Sequence, residues 1–152
     1  RLYGGDLAVP TKLFTIKGEA AYFTSTTKTA DEYVLWVLQL ERTWGEWVFV
    51  GGYAGEAVTS RRNPLAFAPD RGFARSALIR AAYTIDPRRS LAVETAVRDS
   101  GDGVWIKGEY SHQLSAHWRA TASFTLIRGS YPDFLGQFHR NSHGLLLLRY
   151  SF

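Results

Sequence analysis

The sequence predicts an all-β protein, an antiparallel up-and-down transmembrane β-barrel with about eight strands in this chain. Three observations predict it: a hydrophobic period of two along most of the chain, aromatic residues near the ends of the periodic segments, and connections that alternate between short and long. In this interpretation residues 1–152 form a single domain. That domain is either a complete small barrel or the last eight strands of a larger one.

The segments with a period of two are rich in Val, Ile, Tyr, Phe, Trp and Thr, whereas Gly, Pro, Asp and Asn gather between them. We predict strands over residues 12–24, 32–43, 47–58, 74–85, 91–98, 104–111, 117–128 and 139–152. Residues 1–10 are predicted to lie outside these strands. They begin abruptly, like the middle of a longer polypeptide.

Successive side chains of a strand point to opposite faces, so each segment divides into two sets. The first set, which we call the apolar face, has no charged side chain in the middle of any segment. Its members are Phe14, Ile16, Gly18, Ala20, Tyr22, Val34, Trp36, Leu38, Leu40, Trp47, Phe49, Gly51, Tyr53, Ala77, Ile79, Ala81, Tyr83, Ile85, Leu91, Val93, Thr95, Val97, Val104, Ile106, Gly108, Tyr110, Trp118, Ala120, Ala122, Phe124, Leu126, Gly144, Leu146, Leu148, Tyr150 and Phe152. Arg75, Arg128 and Arg140 fall on this side by parity, but only at segment ends.

The second set, the charged face, is predicted to line the barrel lumen. Its charged members are Lys17, Glu19, Glu41, Glu56, Arg80, Glu94, Arg98, Lys107, Glu109, Arg119 and Arg149. Five acids nearly balance six bases, and buried charges are tolerated only when they are paired. A complete eight-stranded barrel is therefore expected to have a lumen filled with Arg/Lys–Glu pairs. In a larger barrel the same residues would line a water-filled pore.

Alternation alone does not identify the face that meets water, because a soluble sandwich or barrel shows it too. The aromatic residues favour a membrane, since Tyr and Trp combine an apolar ring with a polar group that seeks water. Phe14, Trp44 and Phe152 also lie near one set of connections, beside some of these Tyr and Trp residues. The predicted lipid-interface aromatics are Tyr22, Trp36, Trp47, Tyr53, Tyr83, Tyr110, Trp118 and Tyr150.

The connections are also asymmetric. Residues 43–46, 86–90 and 112–116 form short turns, whereas the alternate connections 25–31, 59–72 and 129–137 are longer. Only residues 99–103 are short on the longer side. Short turns at one end and long loops at the other are typical of outer-membrane barrels.

The last nine residues, GLLLLRYSF, resemble the C-terminal signature of bacterial outer-membrane proteins, in which apolar residues alternate before a terminal aromatic residue. Leu146, Leu148, Tyr150 and Phe152 match it, and the resemblance implies that the barrel-assembly machinery recognises them. Residues 14–24 and 47–56 are also similar in style to the closing half of larger porin-like outer-membrane proteins. The resemblance implies the outer membrane of a Gram-negative bacterium, with lipid and lipopolysaccharide as partners.

If Phe152 ends at the periplasmic side, counting back eight strands places Arg1 in the periplasm as well. The long connections would then face the cell exterior. The N-terminus lacks the basic start and apolar stretch of a signal peptide, so we expect that such a peptide was removed or that the chain is a piece of a longer one.

Composition argues against several other classes of function. The chain has no cysteine, so disulfides and thiolate metal sites are excluded. His139 and His143 would lie about 13 Å apart on one predicted strand, too far for one metal ion, and we expect no metal and no cofactor. The net charge of +4 is scattered along the chain, which argues against nucleic acid. No apolar run reaches the roughly 20 residues of a membrane-spanning helix.

Three classes of function remain open. The first is a porin-like channel component for small polar or anionic solutes. The second is a small filled barrel of structural or adhesive type, whose loop residues Arg61, Arg62 and Arg71 could meet lipopolysaccharide phosphates. The third, a lipid-modifying enzyme, is disfavoured because Ser142 and His143 are adjacent, and in a strand adjacent side chains face opposite ways. We expect a channel component, no catalytic residues and an oligomeric state that the sequence does not define.

Overall fold

The computed structural model describes residues 1–62, 73–99 and 101–152. Its nine strands form one antiparallel sheet in which each strand pairs with its neighbours in the sequence. The strands are β1 (Leu2–Pro10), β2 (Thr15–Phe23), β3 (Glu32–Trp44), β4 (Trp47–Ser60), β5 (Ser76–Asp86), β6 (Arg89–Arg98), β7 (Val104–Gln113), β8 (Trp118–Arg128) and β9 (His143–Tyr150). The predicted all-β, antiparallel, up-and-down arrangement is confirmed. Closure into a barrel is not found, because β1 and β9 are the two edges of an open sheet.

The prediction of eight strands is wrong by one, because residues 2–10 form β1. All nine residues of β1 pair with β2, from Leu2 opposite Phe23 to Pro10 opposite Thr15. Gly4, Gly5 and Pro10 have low strand propensity and conceal the alternation of Tyr3, Leu7 and Val9. Pro10, which has no N–H, is tolerated at the strand end on an edge strand.

The last predicted strand begins too early. Residues Gly136–Asn141 form a 3₁₀ helix, and β9 starts only at His143. Local side-chain bonds favour this turn: His139 Nδ1 lies 2.7 Å from the Gly136 carbonyl, and Ser142 Oγ accepts the Ile127 N–H at 3.0 Å. His139 and His143 therefore do not share a strand.

The strand register confirms that the two sets of side chains lie on two faces. Residues directly opposite each other in an antiparallel pair share a face. On the charged face Arg80 is opposite Glu94, and Glu94 is opposite Lys107. On the apolar face Trp47 is opposite Tyr83, and the same row continues through Leu91, Tyr110, Ala122 and Leu146.

Charged side chains lie on the apolar face near the ends of β3, β6 and β8, and the one on β6 is Arg89, its first residue, opposite His112. Arg42 is opposite Phe49, two residues before β3 ends at Trp44, and Arg128 is opposite Val104 at the last position of β8. Arg75 lies in the turn before β5 and has a positive φ of 60°, while Arg140 lies in the 3₁₀ helix. Parity had assigned both arginines to strand ends, but neither lies in a strand.

The connections divide between two ends of the sheet. The short-turn end holds residues 11–14, 45–46, 87–88 and 114–117 together with the C-terminus, and the long-loop end holds the other connections. Arg1 lies at the long-loop end, where its N-terminal amine donates to the Thr24 carbonyl at 2.6 Å. The prediction that Arg1 and Phe152 share an end is wrong, because an odd number of strands separates them.

The apolar face is exposed across the sheet. Its large side chains remain open to the surroundings, with exposed fractions of 51% for Leu38, 57% for Ile79, 56% for Phe124 and 78% for Leu146. In the described part of the chain, the buried hydrophobic residues are Ala54, Ala74, Ala96 and Leu135. None of the described helices is long and apolar enough to cross a membrane.

Candidate functional site

The charged face carries three ion pairs, one between β2 and β3, one between β5 and β6, and one within β7. Lys17 Nζ lies 2.7 Å from a Glu41 carboxylate oxygen, Arg80 lies 2.6 Å from Glu94, and Lys107 lies 2.9 Å from Glu109. The partners are between about a third and a half exposed, so solvent screens them and each pair is worth at most about 1 kcal/mol. The predicted pairing of Arg or Lys with Glu is therefore observed for six of the eleven predicted lumen residues.

The other predicted lumen residues lie on the same face or at its long-loop end. Glu19 on β2 is opposite Asp6 on β1, and Arg119 on β8 is opposite Arg149 on β9. In each of these two pairs, residues of like charge lie opposite each other on neighbouring strands. Glu56 is opposite Leu35. Arg98 is opposite Ser76 and contacts the carboxylate of Asp133 in the loop between β8 and β9. That this face is a lumen stays a prediction.

A cavity of about 550 Å³ lies on the charged face beside the ion pairs. The residues that line it include the apolar Val50, Leu78 and Ala96 and the charged Glu41, Arg80 and Glu94. Trp105 and Phe73 also line the cavity, and their ring centroids lie 5.9 Å apart. In the sequence, Trp105 lies between Val104 and Ile106 of the apolar face. This alternation was the signal that could have assigned Trp105 to the charged face.

The aromatic residues predicted at a lipid interface all lie on the apolar face. At the short-turn end Trp47 packs on Tyr83 with 4.7 Å between ring centroids, and Trp118 packs on Tyr150 at 5.0 Å. At the long-loop end Trp36 lies 5.6 Å from Tyr53. Tyr110 is in the row of Trp47, and Tyr22 is opposite Val34. Contact with lipid stays a prediction.

At the long-loop end the segment between β8 and β9 folds against the charged face, in what we call the loop junction (residues 74–76, 98–99, 101–103 and 129–136). Arg98 Nε donates to Asp133 Oδ2 at 3.0 Å, and Arg98 also donates to the Ala74 carbonyl at 3.3 Å. The side chains of Arg98 and Asp133 are only 4% and 3% exposed. The backbone N–H of Leu135 donates to the other carboxylate oxygen of Asp133 at 2.8 Å.

Glycine makes the close approach at the loop junction possible. A Cβ on Gly103 would lie 2.0 Å from Asp133 Oδ1, and a Cβ on Gly101 would lie 2.1 Å from Oδ2. The carboxylate of Asp133 thus occupies the space that two side chains would otherwise fill. Sequence reasoning missed Asp133, because a loop carboxylate carries no periodic signal.

The turn between β6 and β7 is also tied to the following loop by Asp102. Its carboxylate accepts hydrogen bonds from the Ser130 backbone N–H at 2.8 Å and from the Ser130 hydroxyl at 2.9 Å. The backbone donor and then the hydroxyl of Ser130 hold the pKa of Asp102 below its ordinary value of 3.8.

Because the folded-state pKa of Asp102 is lowered, its contribution to stability is present above about pH 3.8 and is lost as the pH falls through the folded-state pKa. We expect amide hydrogen exchange at residues 129–131 to accelerate below pH 3.8 after correction for the intrinsic rate. The Asp102→Ala variant, which has no acceptor for the Ser130 N–H and hydroxyl, is expected to show fast exchange at neutral pH already. Equal protection in the two proteins at pH 7 would refute this assignment.

Within residues 1–62, 73–99 and 101–152, no cluster of three or more His, Asp or Glu side chains could hold a metal ion. Comparison of the chain with protein-family models, with curated proteins and with solved structures gave no match.

Proposed function

We propose that this chain forms part of the wall of a transmembrane β-barrel in the outer membrane of a Gram-negative bacterium, where it acts as a porin-like channel component. The observation that carries the proposal is the exposed apolar face, which extends over all nine strands in a consistent register. Soluble proteins rarely expose a continuous apolar patch larger than a few hundred Å². Lipid is the environment in which this face needs no further cover.

A soluble sandwich would require a second layer against the apolar face. The described part of the chain contains one sheet and one six-residue 3₁₀ helix, and that helix contacts β8 beside the loop junction. The aromatic pairs Trp47–Tyr83 and Trp118–Tyr150 at one end support a membrane interface.

The strand stagger supports a barrel geometry. Trp47 is the first residue of β4, whereas Ala122 in the same row lies four residues after Trp118, where β8 begins. Four residues correspond to about 13 Å along the strand, and four strand spacings correspond to about 19 Å across the sheet. Their ratio gives a tilt of about 35°, close to the 35–45° of closed barrels.

Topology defines how such a barrel would close. β1 and β9 run in the same direction, so direct pairing of the two edges would be parallel. Bacterial outer-membrane barrels are antiparallel throughout and have an even strand count. We propose closure through an odd number of further strands between β9 and β1. The barrel then has at least ten strands, more than the eight at which side chains just fill the interior.

A wider interior favours a channel over a filled barrel, and the partly exposed ion pairs of the charged face fit a wet lumen. We propose small polar or anionic solutes as cargo, with no catalytic step. In this orientation Phe152 and the short turns are periplasmic and the loop junction faces the exterior. The proposed partners are lipid, lipopolysaccharide and the barrel-assembly machinery. The machinery would recognise Leu146, Leu148, Tyr150 and Phe152.

The alternative, an adhesive barrel that binds lipopolysaccharide phosphates, has weaker support from the loops. Arg62 is engaged within the protein, where it lies 3.0 Å from Glu32 and donates to the Ser25 carbonyl at 2.9 Å. Arg71 lies outside the described residues. Arg61 is exposed and is the remaining described residue of the predicted set.

The proposed function is tested by single-channel recording of the full-length protein in planar bilayers. We expect stepwise ion currents after insertion. Insertion is verified separately, by protease protection of the strands in vesicles. Inserted protein without current would overturn the channel, and a monomer that dissolves without detergent would overturn the membrane barrel itself.

A further inference from the structure

Two arginines oppose each other on the charged face at the short-turn end. Arg119 of β8 and Arg149 of β9 are Cα partners, and both are exposed. Side chains at directly opposite positions leave the sheet with Cβ atoms about 4.5–5.5 Å apart, and like charges there are destabilising. The pairing therefore has a cost unless an anion lies between the two guanidinium groups.

The other strand bases of this face have acidic partners within 3 Å, as Lys17, Arg80 and Lys107 do. In the part of the chain that the structure describes, neither Arg119 nor Arg149 has a carboxylate within ion-pair distance. The residue opposite Arg119 on β7 is Gln113, an amide. The next row inward holds Ser111, Thr121 and Leu147, so the neighbours of the two arginines toward the middle of the sheet are uncharged.

The backbone that carries the two arginines is firmly held. On the apolar face Trp118 and Tyr150, the neighbours of Arg119 and Arg149, are in ring contact at 5.0 Å. Beyond them the Ser151 N–H donates to the His117 carbonyl at 2.9 Å. The spacing of the two guanidinium stems is therefore set by the sheet and needs no ligand to form.

We propose that Arg119 and Arg149 form a binding site for a small solute that carries a carboxylate or phosphate group. Each guanidinium offers a planar fork of donors that matches such an oxyanion, and an anion between them removes their repulsion. This inference rests on the proposed function, because it places the site on the channel wall at the periplasmic mouth. It adds the class of solute and the residues that bind it.

The test uses the full-length protein in detergent, titrated by calorimetry with inorganic phosphate and, in a second series, with succinate. Phosphate bound more tightly than succinate would identify a phosphate site, and the reverse order would identify a carboxylate site. We expect Arg119→Gln and Arg149→Gln each to weaken binding of the preferred anion about tenfold or more, since each removes a charge-assisted hydrogen bond. Arg149→Lys, which keeps the charge but loses the fork, is expected to bind with intermediate affinity.

Arg128→Gln is the matched control, because Arg128 is on the same strand as Arg119 but on the apolar face at the other end. Heat-dependent mobility on gels verifies that each variant is folded. Equal anion affinity in the wild type, the Arg119 and Arg149 variants and the control would overturn the site. So would a loss of stability without a loss of anion binding, since the arginines would then pair with an acid of the protein itself.

Planar-bilayer recording separates this inference from the proposed function. Anion binding that depends on Arg119 and Arg149, found in a protein without conductance, would support the site and overturn the channel. Conductance whose anion selectivity is unchanged in both arginine variants, together with absent phosphate and succinate binding, would overturn the site and leave the channel in place.

Discussion

Replacing Asp133 by alanine (Asp133→Ala) is expected to lower the free energy of unfolding by about 3–5 kcal/mol, the cost of removing one partner of a buried ion pair. Asp133 is the carboxylate that Arg98 contacts at 3.0 Å, and both side chains are almost completely buried. The variant leaves Arg98 as a buried cation without this partner. It also removes the acceptor of the Leu135 N–H.

Equilibrium urea unfolding in lipid vesicles, followed by tryptophan fluorescence, measures the effect. Asp133→Asn separates charge from hydrogen bonding, because an amide oxygen still accepts from Leu135. Asp6→Ala is the matched control, since Asp6 is exposed on β1 and its change is expected to cost less than about 0.5 kcal/mol. Similar losses for Asp133→Ala and Asp6→Ala would show that the ion pair does not stabilise the loop junction.

A double substitution makes the test stricter. Arg98→Met together with Asp133→Leu removes both charges, and exchange of a whole buried pair for apolar residues is often nearly neutral. We therefore expect the double variant to be more stable than Asp133→Leu alone. Additive losses would indicate that the two residues act independently.

The loop junction shows why the sequence could predict the faces of the sheet but not this contact. The face of a strand residue depends only on whether its position is odd or even, so Lys17, Arg80 and Glu94 could be assigned from local sequence. The contact between Arg98 and Asp133 joins positions 35 residues apart. It depends on how the loop between β8 and β9 folds back onto the sheet, and the hydrophobic period of the strands carries no information about that.

The same reasoning explains the strand that was missed. β1 contributes Tyr3, Leu7 and Val9 to the apolar face, but Gly4, Gly5 and Pro10 interrupt the composition by which a strand is recognised. Pairing with β2 along its whole length supplies the stability that local propensity lacks. Because one strand changes the parity of the count, this local omission also reversed the predicted position of Arg1.

The apolar face provides the second large prediction. We expect Phe124→Arg to destabilise the protein in lipid by about 2–4 kcal/mol, because a charge at the middle of the hydrocarbon layer must be desolvated. Phe124 is 56% exposed and lies near the middle of β8. Its ring also covers Gly108, where a Cβ would lie 2.3 Å from the ring, so part of any loss reflects packing. Phe124→Ala measures that part, and only the further loss in Phe124→Arg reports the charge.

The neighbouring residue supplies a control that the sheet itself defines. Ser123 is opposite Glu109 on the charged face, so Ser123→Arg places the same cation one residue away, beside a carboxylate and on the other side of the sheet. In lipid vesicles we expect urea to unfold Phe124→Arg at a much lower concentration than Ser123→Arg, which should remain close to the wild type. The two positions lie at nearly the same depth in the bilayer. The difference in stability therefore depends only on which face of the sheet carries the arginine. Equal stability of the two arginine variants would mean that both faces meet water, and the membrane barrel would then have to be abandoned.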